Sequence, residues 1–232
     1  MRSVLMFGVC LLGASVAFAF AAPAACAQEE ALPPLEEQTV EEDQSLAALR
    51  QVQTYMDEVT SLKADFIQRA PNGNVASGRL FLERPGYVRF DYTDETPFLI
   101  VADGKTLNFV DYEIGQVSRW PLKKTPLRAL LGSSIDLASL QARIQVDARG
   151  LKGLITLTAK DPENPEQGQI ELFFMPSADP SGLTLIGWEV IDAKGELTVI
   201  ELSNQQVNTT LEEALWSFED PRGLTKRRRT RR

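Results

Sequence analysis

Histidine is missing from all 232 residues. That absence removes Ser-His-Asp and Cys-His catalysis, together with the commonest side-chain metal ligand. Cysteine occurs only as Cys10 and Cys26. Both precede Gln28, so a chain cut after Ala27 can form no disulfide and must rely on a core, which its length can supply. Metal-ligand spacings, phosphate-binding loops and nucleophile elbows are missing too. The stretch from Gly182 to Gly187 does not join a strand to a helix, so it is no dinucleotide fingerprint. Carboxylate chemistry would rest on Asp91 and Asp94, which are close in sequence. Alternation places the first on the polar side of a strand, and the second falls in a turn. Paired catalytic carboxylates must face one substrate, and these read instead as solvated charges. No catalytic residue, metal or cofactor is expected, and the chain reads as a non-enzyme.

Long apolar runs are also scarce, with one exception. Arg2 precedes an uncharged, largely apolar run from Ser3 to Phe20, and small residues lead to Ala25-Cys26-Ala27. This is the pattern of a secretory signal peptide over residues 1–27. A membrane anchor is the competing reading, but the run is at or below the ~20 residues of a span. Lipid attachment at Cys26 is a second alternative, disfavoured by the unbranched Pro23-Ala24-Ala25 ahead of it.

Charge is unevenly distributed. The net charge is −8, yet the last seven residues, KRRRTRR, carry six positive charges. Residues 28–42 are acidic and contain Pro33-Pro34. Both ends read as disordered arms, leaving one folded domain over residues 43–224 and a basic tail over 225–232. The tail suits anionic headgroups or an acidic partner. Nucleic acid is not an expected partner of an exported acidic chain, and the expected state is a monomer.

Within the domain, Asp43 is a helix N-cap candidate. Leu46, Leu49, Val52, Met56 and Val59 then recur at three and four, predicting an amphipathic helix to about Val59. Most of the rest alternates. Ten or eleven short strands are separated by turn signals, among them Pro71-Asn72-Gly73-Asn74, Pro85-Gly86, Asp103-Gly104 and Lys194-Gly195. Thr125-Pro126 interrupts the strands and predicts a short helix carrying Leu127, Leu130 and Leu131 up to Gly132. The spacing predicts an α+β fold, mainly β: one strongly curved antiparallel sheet with helices on its concave side.

Apolar side chains concentrate on single strand faces: Leu80, Leu82, Val88, Phe90, Phe98, Ile100, Leu107 and Phe109. Such a face is either a packed core or the wall of a pocket for an apolar ligand, and periodicity does not separate the two. Arg84 ends the oily face of its strand. A guanidinium there is costly unless hydrogen-bonded. Either it reaches water past the strand end, or it donates to the orphan carbonyls of a covering helix.

These segments also carry a resemblance. Phe66-Ile67-Gln68, Gly78 to Gly86, Arg89-Phe90-Asp91-Tyr92, the hairpin from Leu99 to Leu107, Thr125-Pro126-Leu127 and Phe218 to Gly223 together resemble the periplasmic outer-membrane lipoprotein carrier (LolA) family. The match runs from about Asp43 to Leu224 and is strongest over 62–132. It implies a half-open barrel whose helices lid a hydrophobic cavity. It implies acylated lipoproteins as cargo, received from an ATP-driven inner-membrane complex and passed to an acceptor at the outer membrane. It places the lid-holding arginine at Arg84 and cavity aromatic positions at Val88 and Phe90, where the valine is smaller than the usual aromatic. The acyl-chain cavity is then expected at Leu80, Leu82, Val88, Phe90, Phe98, Ile100 and Leu107, with Leu127, Leu130 and Leu131 on the lid helix. A related lipid-binding or lipoprotein-sensing domain of the same fold is the alternative.

Overall fold

Turn residues cut the alternating runs into lengths that can only pair with neighbours, and the pairing follows. A computed structural model of the protein describes residues 35–93, 96–132, 141–162 and 164–222. The chain divides into residues 1–34 and a unit from Leu35 onward. The expected signal peptide, the start of the acidic arm, Asp94 and the basic tail lie outside the described residues.

Helix α1 spans Leu35–Glu58. The expected disordered arm is therefore helical from Leu35, eight residues ahead of Asp43. Glu36, Glu37, Glu41 and Glu42 are good helix formers, so an acidic composition is compatible with the longer helix. The buried stripe is Ala48, Val52, Tyr55, Met56 and Val59. Leu46, expected on this stripe, is 48% exposed. Six positions ahead of Val52, it points roughly 240° around the helix from it.

The strands are β1 (Ser61–Arg69), β2 (Val75–Glu83), β3 (Tyr87–Tyr92), β4 (Phe98–Asp103), β5 (Thr106–Asp111) and β6 (Gln116–Pro121). Helix α2 (Arg128–Leu131) follows. Then come β7 (Arg143–Val146), β8 (Ile155–Lys160), β9 (Gln169–Pro176), β10 (Leu183–Ile191) and β11 (Leu197–Val207). They form one antiparallel sheet in the order β6-β5-β4-β3-β2-β1-β11-β10-β9-β8-β7. Two meanders thus meet where the first strand pairs with the last.

One face buries Leu62, Ala64 and Phe66 of β1, Leu80 and Leu82 of β2, Leu157 of β8, Leu172 and Phe174 of β9 and Trp188 of β10 against α1 and α2 in a single cluster. A flat sheet would hold β6 and β10, seven strand spacings apart, roughly 34 Å from each other. Residues of both line one cavity, so the sheet curls around its helices without closing. Asn208, just past β11, fastens α1 to the seam: its amide donates to the Glu58 carbonyl at 2.9 Å and its carbonyl oxygen accepts from the Thr60 N–H at 2.9 Å. On the outer face, Leu99, Val101 and Val110 are covered by Val117 and Phe218. Arg89 reaches the carbonyls of Leu215 and Ser217 at 3.0 Å, holding the 3-10 turn Glu213–Trp216 against β3.

Candidate functional site

The β1–β2 register fixes the centre of the site. Ser61 pairs with Glu83, so Arg84 lands beside Thr60, whose carbonyl takes the Arg84 N–H at 2.8 Å. Its side chain turns inward and is 9% exposed. Nε donates to the carbonyl of Leu130 at 3.0 Å. Nη1 donates to the carbonyl of Val59. The guanidinium lies 5.6 Å from the centre of the Tyr55 ring. One arginine therefore satisfies carbonyls at the C-terminal ends of both helices, where no intrahelical donor is available. Burial lowers its pKa from the ordinary value, with Tyr55 opposing the shift. Burial likewise raises the Tyr55 pKa, and the charge of Arg84 pulls it back. The Tyr55 hydroxyl makes no hydrogen bond of ordinary geometry among the described residues.

Backbone geometry adds a second tie. The Gly86 N–H donates to the Leu131 carbonyl at 2.8 Å, and the Gly86 carbonyl accepts from Gly104 N–H at 3.1 Å. Gly86 has φ +90°, and a Cβ there would sit 2.8 Å from the Gly104 Cα. Only glycine permits that approach, which brings the β2–β3 and β4–β5 turns together beneath α2.

Helix α2 is shorter than expected. Thr125 does not cap it; its hydroxyl donates to the Leu122 carbonyl at 2.8 Å, closing a 3-10 turn over Leu122–Lys124. Leu130 and Leu131 are buried in the core, while Leu127 packs at its margin and reaches the cavity.

The cavity has a volume of about 590 Å³, within the range of roughly 300–1,000 Å³ usual for small-ligand sites. Of the expected residues, Phe90, Ile100 and Leu107 form its wall, with Leu127 from the lid. Leu80, Leu82 and Val88 do not: they are completely buried beneath the helices as packed core. Phe98 is not on the wall either. It sits at the start of β4 and stacks, tilted, on Phe109 with centroids 5.4 Å apart. Only part of this strand face borders the cavity.

The opposite wall was missed. Trp188, Val190 and Ile200 come from β10 and β11, and Trp188 meets Phe90 edge-on at 6.1 Å. Leu183 and Leu185 face inward at odd positions, but a register shift before Gly187 moves the inward face to Trp188 and Val190. A bulge of this kind breaks simple alternation. Trp120, on edge strand β6, stands 47% exposed at the mouth, across from Gln167. Asp91 is on the outer face, paired with Arg89 at 2.7 Å, so it cannot reach the cavity.

The model of the family described as outer membrane lipoprotein carrier protein LolA matches residues 57–219. An outer-membrane lipoprotein carrier protein from Chromobacterium violaceum is 29% identical over 187 residues, covering 77% of this chain and 86% of its own. One from Legionella pneumophila is 30% identical over 180 residues, covering 75% and 86%. Among solved structures, a DUF1329 family protein from Desulfovibrio piger superposes with a TM-score of 0.49 at 11% identity, covering 76% of this chain and 97% of that one. The family match spans β1 to β11, the arginine that ties both helices and every strand of the cavity wall: the chain belongs to the LolA family of outer membrane lipoprotein carrier proteins, and it is not an enzyme.

Proposed function

We propose that this protein is a periplasmic carrier that takes the acyl chains of lipoproteins into the cavity lined by Phe90, Ile100, Leu107, Leu127, Trp188 and Val190 and moves them from the inner to the outer membrane. The observation that carries this reading is the apolar cavity wall itself, bordered by a lid segment tied down by the buried Arg84 and by Gly86. Exposing an acyl chain to water costs about 0.8 kcal/mol per methylene, so cargo cannot cross an aqueous space without such cover. Release needs a lid that is held weakly. A charge-assisted hydrogen bond is worth about 1.5–3 kcal/mol, so the Arg84 latch adds a reversible increment to the burial of Leu130 and Leu131 that also holds α2. The ATP-driven donor complex and the outer-membrane acceptor follow from the family resemblance as proposed partners.

Native mass spectrometry of the protein purified from its own envelope tests the reading. Co-purified acylated proteins are expected. Free lipids alone would replace it with the lipid-binding or lipoprotein-sensing alternative. For the latch, Arg84→Leu is expected to accept lipoprotein yet transfer it poorly, and normal transfer would remove that role from Arg84.

A further inference from the structure

The mouth of the cavity carries a second pattern that cargo binding does not use. The Leu122 N–H donates to the Lys105 carbonyl at 2.8 Å, bringing the β4–β5 turn against the segment after β6. Lys105 and Lys123 thereby edge one cleft of about 460 Å³ on the outer side of the lid, floored by Gly104, Leu122 and Leu131. Lys124 stands at the main cavity, near Trp120. All three lysines are exposed and make no ion pair among the described residues. Arg128 beside them is already neutralised by Asp161 at 2.9 Å. In a chain of net charge −8, this end presents three exposed lysines, against Glu166 as the one carboxylate on the main cavity's lining, next to an indole that is 47% exposed.

We infer that the edge formed by Trp120, Lys105, Lys123 and Lys124 docks the cavity mouth on an anionic lipid bilayer. Tryptophan favours the membrane–water interface, where its ring is apolar and its N–H is wet. Basic residues beside it add attraction to anionic headgroups. An acidic protein partner would be served by the lysines but gives no reason for an exposed indole beside an apolar cleft. The acidic remainder of the molecule is repelled by the same surface, which orients the mouth towards the lipid. The inference does not depend on what the cavity holds.

The test is co-sedimentation of the purified protein, free of cargo, with vesicles of phosphatidylcholine alone or with about one third phosphatidylglycerol. Binding should require the anionic lipid and should fall steeply between low and high salt. The triple variant Lys105→Gln, Lys123→Gln, Lys124→Gln should lose roughly a hundredfold in partitioning, about fivefold for each cation removed. Trp120→Ala should weaken binding less, and brominated lipid should quench emission in the wild type but not in that variant. Circular dichroism matched to wild type shows that the variants are folded. Equal binding to neutral vesicles, unaltered binding by the triple variant, or binding carried wholly by residues 226–232 would overturn the inference. Capture by soluble polyglutamate without capture by anionic vesicles would also overturn it, assigning the edge to an acidic protein.

Discussion

The concave side of the sheet is filled under α1 and hollow beside α2. Both halves rest on the same alternation of apolar residues along neighbouring strands. Under α1, a stripe of five buried residues meets Leu80, Leu82, Leu157 and Phe174 and leaves no gap that belongs to the cavity. Beside α2, a helix of four residues, Pro126 and Leu127 just ahead of it are the apolar lid residues, among those described, that reach the face where Phe90, Ile100 and Leu107 stand. The sheet supplies apolar surface in both places. The length of the covering element decides whether that surface becomes core or pocket.

Single substitutions can break that contrast, and the filled half should respond most. Phe174→Ala, which removes the edge-on partner of Tyr55 at 5.2 Å, should cost about 3–5 kcal/mol in chemical denaturation. In the hollow half, Leu107→Ala should cost less than about 1.5 kcal/mol, because its side chain is only partly buried. Lipoprotein retention should nevertheless fall. Equal losses of stability at the two positions would mean that the hollow is packed in solution.

Tyrosines sharpen the comparison further. Tyr92→Phe loses a 2.7 Å hydrogen bond to Gln68 and should cost about 1 kcal/mol. Tyr55→Phe removes a hydroxyl without an ordinary partner and should change stability by less than about 0.5 kcal/mol near neutral pH. The pH profile gives the smallest signal. Burial raises the pKa of both tyrosines. Above pH ~10 the unfolded chain therefore releases protons that the folded chain keeps. Stability is full below that pH and falls above it, and Tyr55→Phe should flatten the fall. Arg84, shifted downward, acts in the opposite sense, in a window below its ordinary value of 12.5. A profile identical in wild type and Tyr55→Phe from pH 9 to 11 would show that Tyr55 does not carry the effect.

Much of this architecture could be read from residue order because strand and turn signals are local. Gly73, Gly86, Gly104 and Gly195 all adopt positive φ at the expected turns. Arg84 was legible for a different reason: a charge on an oily face demands a partner, and helix-end carbonyls were the acceptors in surplus. That it serves two helices depended on register, which places residue 84 beside residue 60. The Trp188 wall stayed hidden behind a bulge, since one extra residue reverses the parity of everything after it. The early start of α1 was obscured by its acidity, a composition shared by disordered arms and helix N-termini. Leu80, Leu82 and Val88 were placed on the correct face, but sequence does not say which stretch of a face a helix covers.

The pairing of β1 with β11 has a consequence for how this molecule comes into being. Leu62 finds Val207, and Arg69 finds Val199, across most of the domain's length. Contacts of such long sequence separation form slowly. A polypeptide emerging N-terminus first thus exposes an unsatisfied β1 edge until almost its last residues arrive, a state prone to aggregation. Truncation anywhere before β11 should yield no smaller working version, because the central ladder needs both ends of the domain at once.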